Sequence, residues 1–205
     1  MNGFYQQYLT DKSFSVLIQL KKEFKFVLIG GWAVYFYTKS LKSKDIDLIV
    51  DFSVLAKIKK EFPLDKNERL KKYQIKIEGI DIDIYLPHYS DLGLPAEEII
   101  NKTNSVSGFI LPEKEILLLT KLKAYLNRRE SIKGQKDLID IVSLLLLEDF
   151  DFNYLFNLFN SYQLGSYWKS LRKLVLETKE IEELHLNRHA FAKKKKEIIS
   201  KLPEK

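Results

Sequence analysis

Thirteen residues separate Gly30-Gly31 from the pair Asp45-Ile46-Asp47, and a second alternating pair, Asp81-Ile82-Asp83, follows further along the chain. Glycines at a strand-to-helix turn let the backbone come close to a phosphate, and the N–H groups opening the next helix point at it. Aspartates at i and i+2 of one strand point the same way, and a third on a neighbouring strand can lie within a few ångströms of both. Mg²⁺ takes hard oxygen ligands, commonly one or two carboxylates completed by substrate phosphates and water. Two such ions could activate an attacking hydroxyl and neutralise a leaving pyrophosphate, whereas packed carboxylates with no cation would repel one another. Asp45, Asp47 and Asp83 are the expected metal ligands, with Asp81 competing for the third place, and Gly30 and Gly31 the expected phosphate cradle. Taken singly, the double glycine is an ordinary turn and the Asp45/Asp47 pair an ordinary solvent-facing strand edge; their order along the chain is what points to chemistry.

The flanking pattern supplies the elements that would position these side chains. Phe14, Leu17, Ile18 and Phe24 predict an amphipathic helix over 13–24 with Ser13 as its N-cap. The apolar run 26–29 reads as a buried strand ending at the glycines, and 32–37 as a helix entered from that turn. A basic loop, 39–44, leads into a strand over 45–50, and 53–62 reads as a helix stopped by Pro63. The alternating runs 73–78 and 80–86 meet at Gly79 as an antiparallel hairpin. A short helix over 96–100 and a last strand over 106–111 complete the first half. From Pro112 onward the periodicity is helical throughout: 113–129, 134–147, 152–161, 166–184 and 188–202. The expected architecture is therefore α+β, a mixed sheet flanked by helices over 1–111 and a C-terminal helical bundle over 112–205 packed on it.

Composition narrows the classes. The chain has 205 residues, 45% of them hydrophobic, which is enough for a packed core. With no cysteine, disulfides, thiolate metal sites and thiol nucleophiles are excluded. The N-terminus lacks a basic segment followed by an apolar one, and no run approaches the ~20 apolar residues of a membrane span. The expectation is a cytoplasmic protein with no membrane partner. The net charge of +6 is uneven: residues 1–100 carry 15 basic and 14 acidic side chains, 101–205 carry 19 and 14. A basic flank beside an acidic metal site suits a polyanion, although lysine-rich faces are also merely solvated. His185 and His189, near Glu182, could form a metal pair, but a solvated helix face explains them better; lysines 193–196 read the same way. The aromatics from Phe150 to Trp168 fall at helical spacing and read as packing rather than base stacking.

Ile29-Gly30-Gly31, Asp45-Ile46-Asp47 and Asp83 together resemble the nucleotidyltransferase superfamily that shares the polymerase-beta-type palm, over roughly residues 26–86. Thr120-Lys121-Leu122-Lys123-Ala124, Arg128-Arg129 and Lys136-Asp137-Leu138-Ile139-Asp140-Ile141 look like the helical motifs of AbiEii-like nucleotidyltransferases, which include toxins of abortive-infection and toxin–antitoxin systems. The resemblance implies a nucleotidyltransferase-type sheet and transfer of a nucleoside monophosphate from a nucleoside triphosphate to a hydroxyl on two Mg²⁺ ions. The acceptor would be RNA, tRNA included, or a protein, and the resemblance also implies an antitoxin-like partner. It gives catalytic roles to Asp45, Asp47, Asp83, Lys121 and Asp137, with Lys121 also steadying the triphosphate. In Leu41-Lys42-Ser43-Lys44 the family's hydroxyl residue is present and lysines replace its arginine, so Ser43 and Lys44 join Gly30 and Gly31 as nucleotide-binding candidates. Six basic residues against one acidic between Lys121 and Lys136 make an anion-facing helix pair plausible. Lys121 and Asp137 could equally form a surface ion pair between helices. Two rival functions come from the same residues: a catalytically inactive module that binds RNA or a protein partner, and a small-molecule nucleotidyltransferase, which would want an acidic acceptor cleft.

Overall fold

A computed structural model describes residues 2–184 and 186–202. It divides the chain into two compact units, Met1–Glu113 and Lys114–Lys205.

In the first unit, helix α1 spans Asn2–Glu23, and Thr10, Ser13, Val16, Leu17 and Leu20 form its buried stripe. Ser13 is therefore not the N-cap that the sequence predicts. It lies inside the helix, fully buried, where its hydroxyl accepts a hydrogen bond from Trp32 Nε1 at 2.9 Å. A buried indole N–H needs a partner, and Ser13 supplies it in place of capping. Strand β1 (Val27–Ile29) runs directly into α2 (Gly30–Thr38), followed by β2 (Ile46–Ile49) and α3 (Phe52–Glu61). Asp51 caps α3 by accepting from Val54 N at 2.8 Å.

Strand β3 (Asp65–Asn67) was not foreseen, because Asp-Lys-Asn has no strand composition; it is an edge strand held by pairing to β4 (Lys72–Ile77). The hairpin of β4 with β5 (Ile80–Tyr85) turns at Glu78 and Gly79, both at positive φ (50° and 82°). That is the two-residue geometry matching strand twist. Helix α4 (Ala96–Ile100) follows. The expected single last strand is a second hairpin, β6 (Thr103–Val106) with β7 (Phe109–Pro112), because Ser107 and Gly108 both take positive φ.

The main sheet has the order β1-β2-β5-β4-β3. Only the β2/β5 pair is parallel; β1/β2, β5/β4 and β4/β3 are antiparallel. Ile46, Leu48, Ile75, Ile82 and Ile84 fill one face and are almost completely buried. A side chain of this kind contributes roughly 1.5–3 kcal/mol on burial, so this face fixes the register. Slipping one strand by a residue would turn its aspartates into the core.

The second unit is helical: α5 (Lys114–Arg128), α6 (Ile132–Leu145), α7 (Phe152–Ser161), α8 (Gly165–Glu177) and α9 (Arg188–Lys201). The continuous helix expected over 166–184 breaks at Thr178, whose backbone is extended, and resumes as a short 3₁₀ turn at Glu182–Leu184. Side-chain caps open α6 (Ser131), α7 (Asp151) and α9 (Asn187). Among the described residues no helix is long and apolar enough to cross a membrane.

Candidate active site

Strand register assembles the site. Asp47 on β2 pairs with Asp83 on β5 on one side and with Ile29 on β1 on the other; Asp83 in turn faces Gln74 on β4, and Gln74 faces Asp65 on β3. Neighbouring strands are ~4.8 Å apart and directly paired residues project to the same face, so these polar side chains form one row across the sheet. Asp47 and Asp83 are both half-buried, opposite the isoleucine face. Asp45 lies in the bend just before β2, two residues from Asp47 and also half-buried. Asp81 points the same way as Asp83 but is exposed and pairs with Lys76 at 3.2 Å, a solvated edge contact.

One glycine of the turn meets a carboxylate directly and the other meets Ser43. Gly30 takes a φ of +69°, and a Cβ there would fall 2.0 Å from Asp47 Oδ2 and 2.9 Å from its Cβ. Only a residue with no side chain lets the turn sit against Asp47. A Cβ on Gly31 would fall 2.9 Å from Ser43 Oγ, and that hydroxyl donates to the Asp45 carbonyl at 2.9 Å. Ser43 thus pins the start of the Asp-x-Asp segment beside the glycine turn. Lys44 is half-buried next to it, while Lys42 is drawn off to Asp11 at 2.8 Å. The residue before α2, Ile29, gives that helix no side-chain cap.

Two residues of the site were missed at the level of sequence. Lys72 Nζ binds Asp83 Oδ2, and Gln74 Nε2 donates to Asp83 Oδ1 at 2.6 Å. Both oxygens of that carboxylate are engaged. The signal was present: a hairpin closing on Glu78-Gly79 places Gln74 opposite Asp83 and Lys72 diagonal to it. Among the described residues no group of three His, Cys, Asp or Glu side chains is set to hold a metal ion. The donor set that the fold does bring together, two carboxylates in register beside a glycine that leaves room, suits Mg²⁺, which needs only one or two carboxylates when phosphate and water complete its shell.

The second unit holds Lys121 and Asp137 in a different setting. Lys121 and Arg128 lie two turns apart on α5, Asp137 and Asp140 one turn apart on α6. Lys121 Nζ reaches Asp140 Oδ2 at 2.7 Å and Asp137 Oδ1 at 3.3 Å, and Arg128 clamps Asp137 through Nε at 2.7 Å and Nη2 at 3.0 Å. The surface ion pair considered from sequence is instead buried: Asp137 is 1% exposed, Asp140 4% and Lys121 8%. The apolar buried residues of both helices are mainly leucine and isoleucine, and Gly134 allows the first turn of α6 to press on Arg128, whose carbonyl would lie 2.2 Å from a Cβ there. Burial pushes the Asp140 carboxyl above the usual carboxylate range, against the pull of Lys121. Glu115 is raised by burial too, while its carboxylate accepts from Asp151 N at 2.8 Å. Of the possible histidine pair, His185 lies outside the described residues; His189 lies in the first turn of α9 and is exposed.

No protein-family model and no curated protein matches the chain. Among solved structures it is similar to an antigenic nucleotidyltransferase-like protein from Paracoccidioides brasiliensis, with 17% identity, 78% of this chain and 91% of that one covered, and a TM-score of 0.40. It is also similar to JHP933 from Helicobacter pylori, with 15% identity, coverage of 98% and 94%, and a TM-score of 0.47.

Proposed function

We propose that the first unit is the catalytic domain of a nucleotidyltransferase, of the AbiEii-like kind that the motifs resemble. It would move a nucleoside monophosphate from a nucleoside triphosphate to a hydroxyl of RNA or protein and release pyrophosphate. The observation that carries this reading is the register pairing of Asp47 with Asp83 on parallel strands, with Gly30 packed against Asp47. Asp45, Asp47 and Asp83 would hold Mg²⁺, which when bound polarises the triphosphate and makes pyrophosphate a better leaving group. The amides opening α2, which Ile29 does not cap, would receive phosphate oxygens, helped by the partial positive charge of a helix N-terminus. Gly30 and Gly31 would let those oxygens approach the backbone, with Ser43 fixing the Asp45 segment and Lys44 beside it. A carboxylate oxygen of the Asp45/Asp47 pair would accept the proton of the attacking hydroxyl.

The direct test incubates the chain with labelled triphosphates, Mg²⁺ and candidate acceptors, tRNA and total protein among them. Transfer of label by the wild type, lost in an Asp45→Ala/Asp47→Ala double variant, is the expected outcome. Equal labelling by both removes the proposal.

The engagement of both Asp83 oxygens by Lys72 and Gln74 favours a second reading, a module that keeps the fold to bind RNA or a protein and no longer transfers nucleotide. Calorimetry separates the two. RNA binding with no Mg²⁺-dependent triphosphate binding would support the second.

A further inference from the structure

Helices α8 and α9 border an open groove of about 470 Å³ that no step of the proposed reaction uses. Leu176, Ile199 and Leu202 give it an apolar floor, and Arg172, Lys195 and Lys196 supply its charge. Among the described residues no acidic side chain lines it. Leu176 is 50% exposed; an isolated surface leucine is ordinary, but this one adjoins further apolar side chains ringed by cations.

Two of the cations are built into the helix pair. Arg172 of α8 donates to the carbonyls of Ile199 and Leu202, at 3.3 and 2.7 Å, where α9 ends. Lys195 of α9 donates to those of Leu176 and Thr178, at 2.5 and 2.8 Å, where α8 ends. Each helix thus lends a cation to the carbonyls closing the other, where positive charge is favoured. The lysine run 193–196 is accordingly not one solvated face: Lys195 is tied to α8, while Lys196 stays exposed at the groove. Carbonyl oxygens carry only partial charge, so the groove keeps a positive sign. The rest of α9 reinforces it, with six basic residues against one acidic, Glu197.

An inorganic anion gains nothing from an apolar floor. A nucleic-acid backbone is held by cations that reach its phosphates, whereas two of these three are engaged by carbonyls. A second copy in two-fold pairing would bring the same basic face against itself. A helix with apolar side chains on one stripe and carboxylates beside it matches both features of the groove, and the rim charges would guide its approach.

We propose that the α8/α9 groove is a docking site for an amphipathic acidic helix of a partner protein, whose apolar stripe seats on Leu176, Ile199 and Leu202 and whose carboxylates meet Lys195 and Lys196. This goes beyond the nucleotidyltransferase reading and stands whether or not the chain transfers nucleotide.

The test is fluorescence anisotropy of a labelled synthetic peptide helix, with leucines at i, i+3, i+4 and i+7 and glutamates flanking them, titrated with the full chain. A scrambled peptide of the same composition and a single-stranded RNA serve as comparators. Saturable binding of the designed helix is expected, weakened at least about tenfold by Leu176→Gln and by Lys196→Glu. Lys193→Glu reverses a charge on the same run outside the groove and should weaken binding by less than about threefold. All three positions are exposed, and native circular dichroism of each variant separates lost docking from lost fold. No binding by the wild type, equal binding of the scrambled peptide, unchanged affinity in Leu176→Gln, or equal losses in Lys193→Glu and Lys196→Glu overturns the inference. So does RNA that binds more tightly and displaces the helix, which would make the groove part of a phosphate-binding face.

Discussion

Each unit of this protein holds a cluster in which lysine meets aspartate, and the two clusters are built on opposite terms. On α5 and α6 the ions face one another: two acids and two bases, Asp137 and Asp140 nearly sealed from solvent, and a bidentate arginine completing the set. Such a network stabilises little in net terms when complete but is costly to break, because a charge withdrawn from water loses part of the compensation that holds it there. On the sheet, Asp47 and Asp83 are half-buried on one face, beside a glycine turn that keeps side-chain atoms away. There the acids outnumber the bases in the row, and geometry is arranged to leave room. The contrast sets ionic groups buried between two helices against ionic groups in the row proposed to take a ligand, and it can be tested one residue at a time.

The largest effect on stability is expected at Asp137. Asp137→Ala leaves Lys121 and Arg128 facing the place it occupied and should cost about 3–5 kcal/mol, read from urea unfolding of the variant against wild type. A loss below about 1 kcal/mol would mean that the buried network is not structural, and the contrast between the clusters would collapse. Asp47→Asn should do the reverse. Labelling from a triphosphate should fall about a hundredfold or more, equivalent to ~2.7 kcal/mol of transition-state stabilisation, while the unfolding midpoint stays close to wild type. A variant that unfolds at lower denaturant yet transfers nucleotide normally would place Asp47 among the structural acids.

How far these two arrangements could be read from sequence differs for a physical reason. The glycine turn, the Asp45/Asp47 strand and the hairpin carrying Asp83 were legible, because buried strands alternate with period two and the isoleucines mark which residues turn away from the core. Register then brings Asp47 level with Asp83, something periodicity within one strand cannot state. Lys72 and Gln74 were overlooked since a lysine and a glutamine in a polar strand register look like any solvated edge until the turn residues fix the pairing. Ser13 shows the opposite failure. A serine before an apolar stripe satisfies the local rule for a cap, but the helix extends back to Asn2 and the hydroxyl serves a tryptophan nineteen residues on. The burial of Lys121 and Asp137 was likewise invisible, because the same charged residues on a helix surface would give the same pattern.

Gly30→Ala sharpens the boundary of the site at intermediate cost. The new methyl would meet the Asp47 carboxylate at 2.0 Å in a backbone conformation that L side chains rarely adopt, so a destabilisation of ~1–3 kcal/mol is expected. The more telling readout is nucleotide affinity, which should weaken together with stability because the displaced group is Asp47 itself. Loss of stability with unchanged Mg²⁺-dependent triphosphate binding, measured by calorimetry, would show that the close approach serves the turn alone.

The smallest effect separates the units by pH. Burial holds the Glu115 carboxyl above the usual carboxylate range, so in the folded chain it keeps its proton to higher pH than it does unfolded. The stability this lends is fully present below the unfolded value, ~4.3, and is lost as pH rises through the folded one. Glutamine accepts from Asp151 N through the same oxygen position but carries no charge to desolvate. Glu115→Gln should therefore match the wild type in thermal unfolding near the unfolded carboxylate value and become the more stable of the two as the solution approaches neutrality. Triphosphate binding should not follow that curve, because Glu115 sits at the head of α5, bonded to the cap of α7, with a packing role. A stability difference that is constant with pH would show that the carboxyl titrates alike in both states, and its place among the structural acids would then rest on the Asp151 hydrogen bond alone.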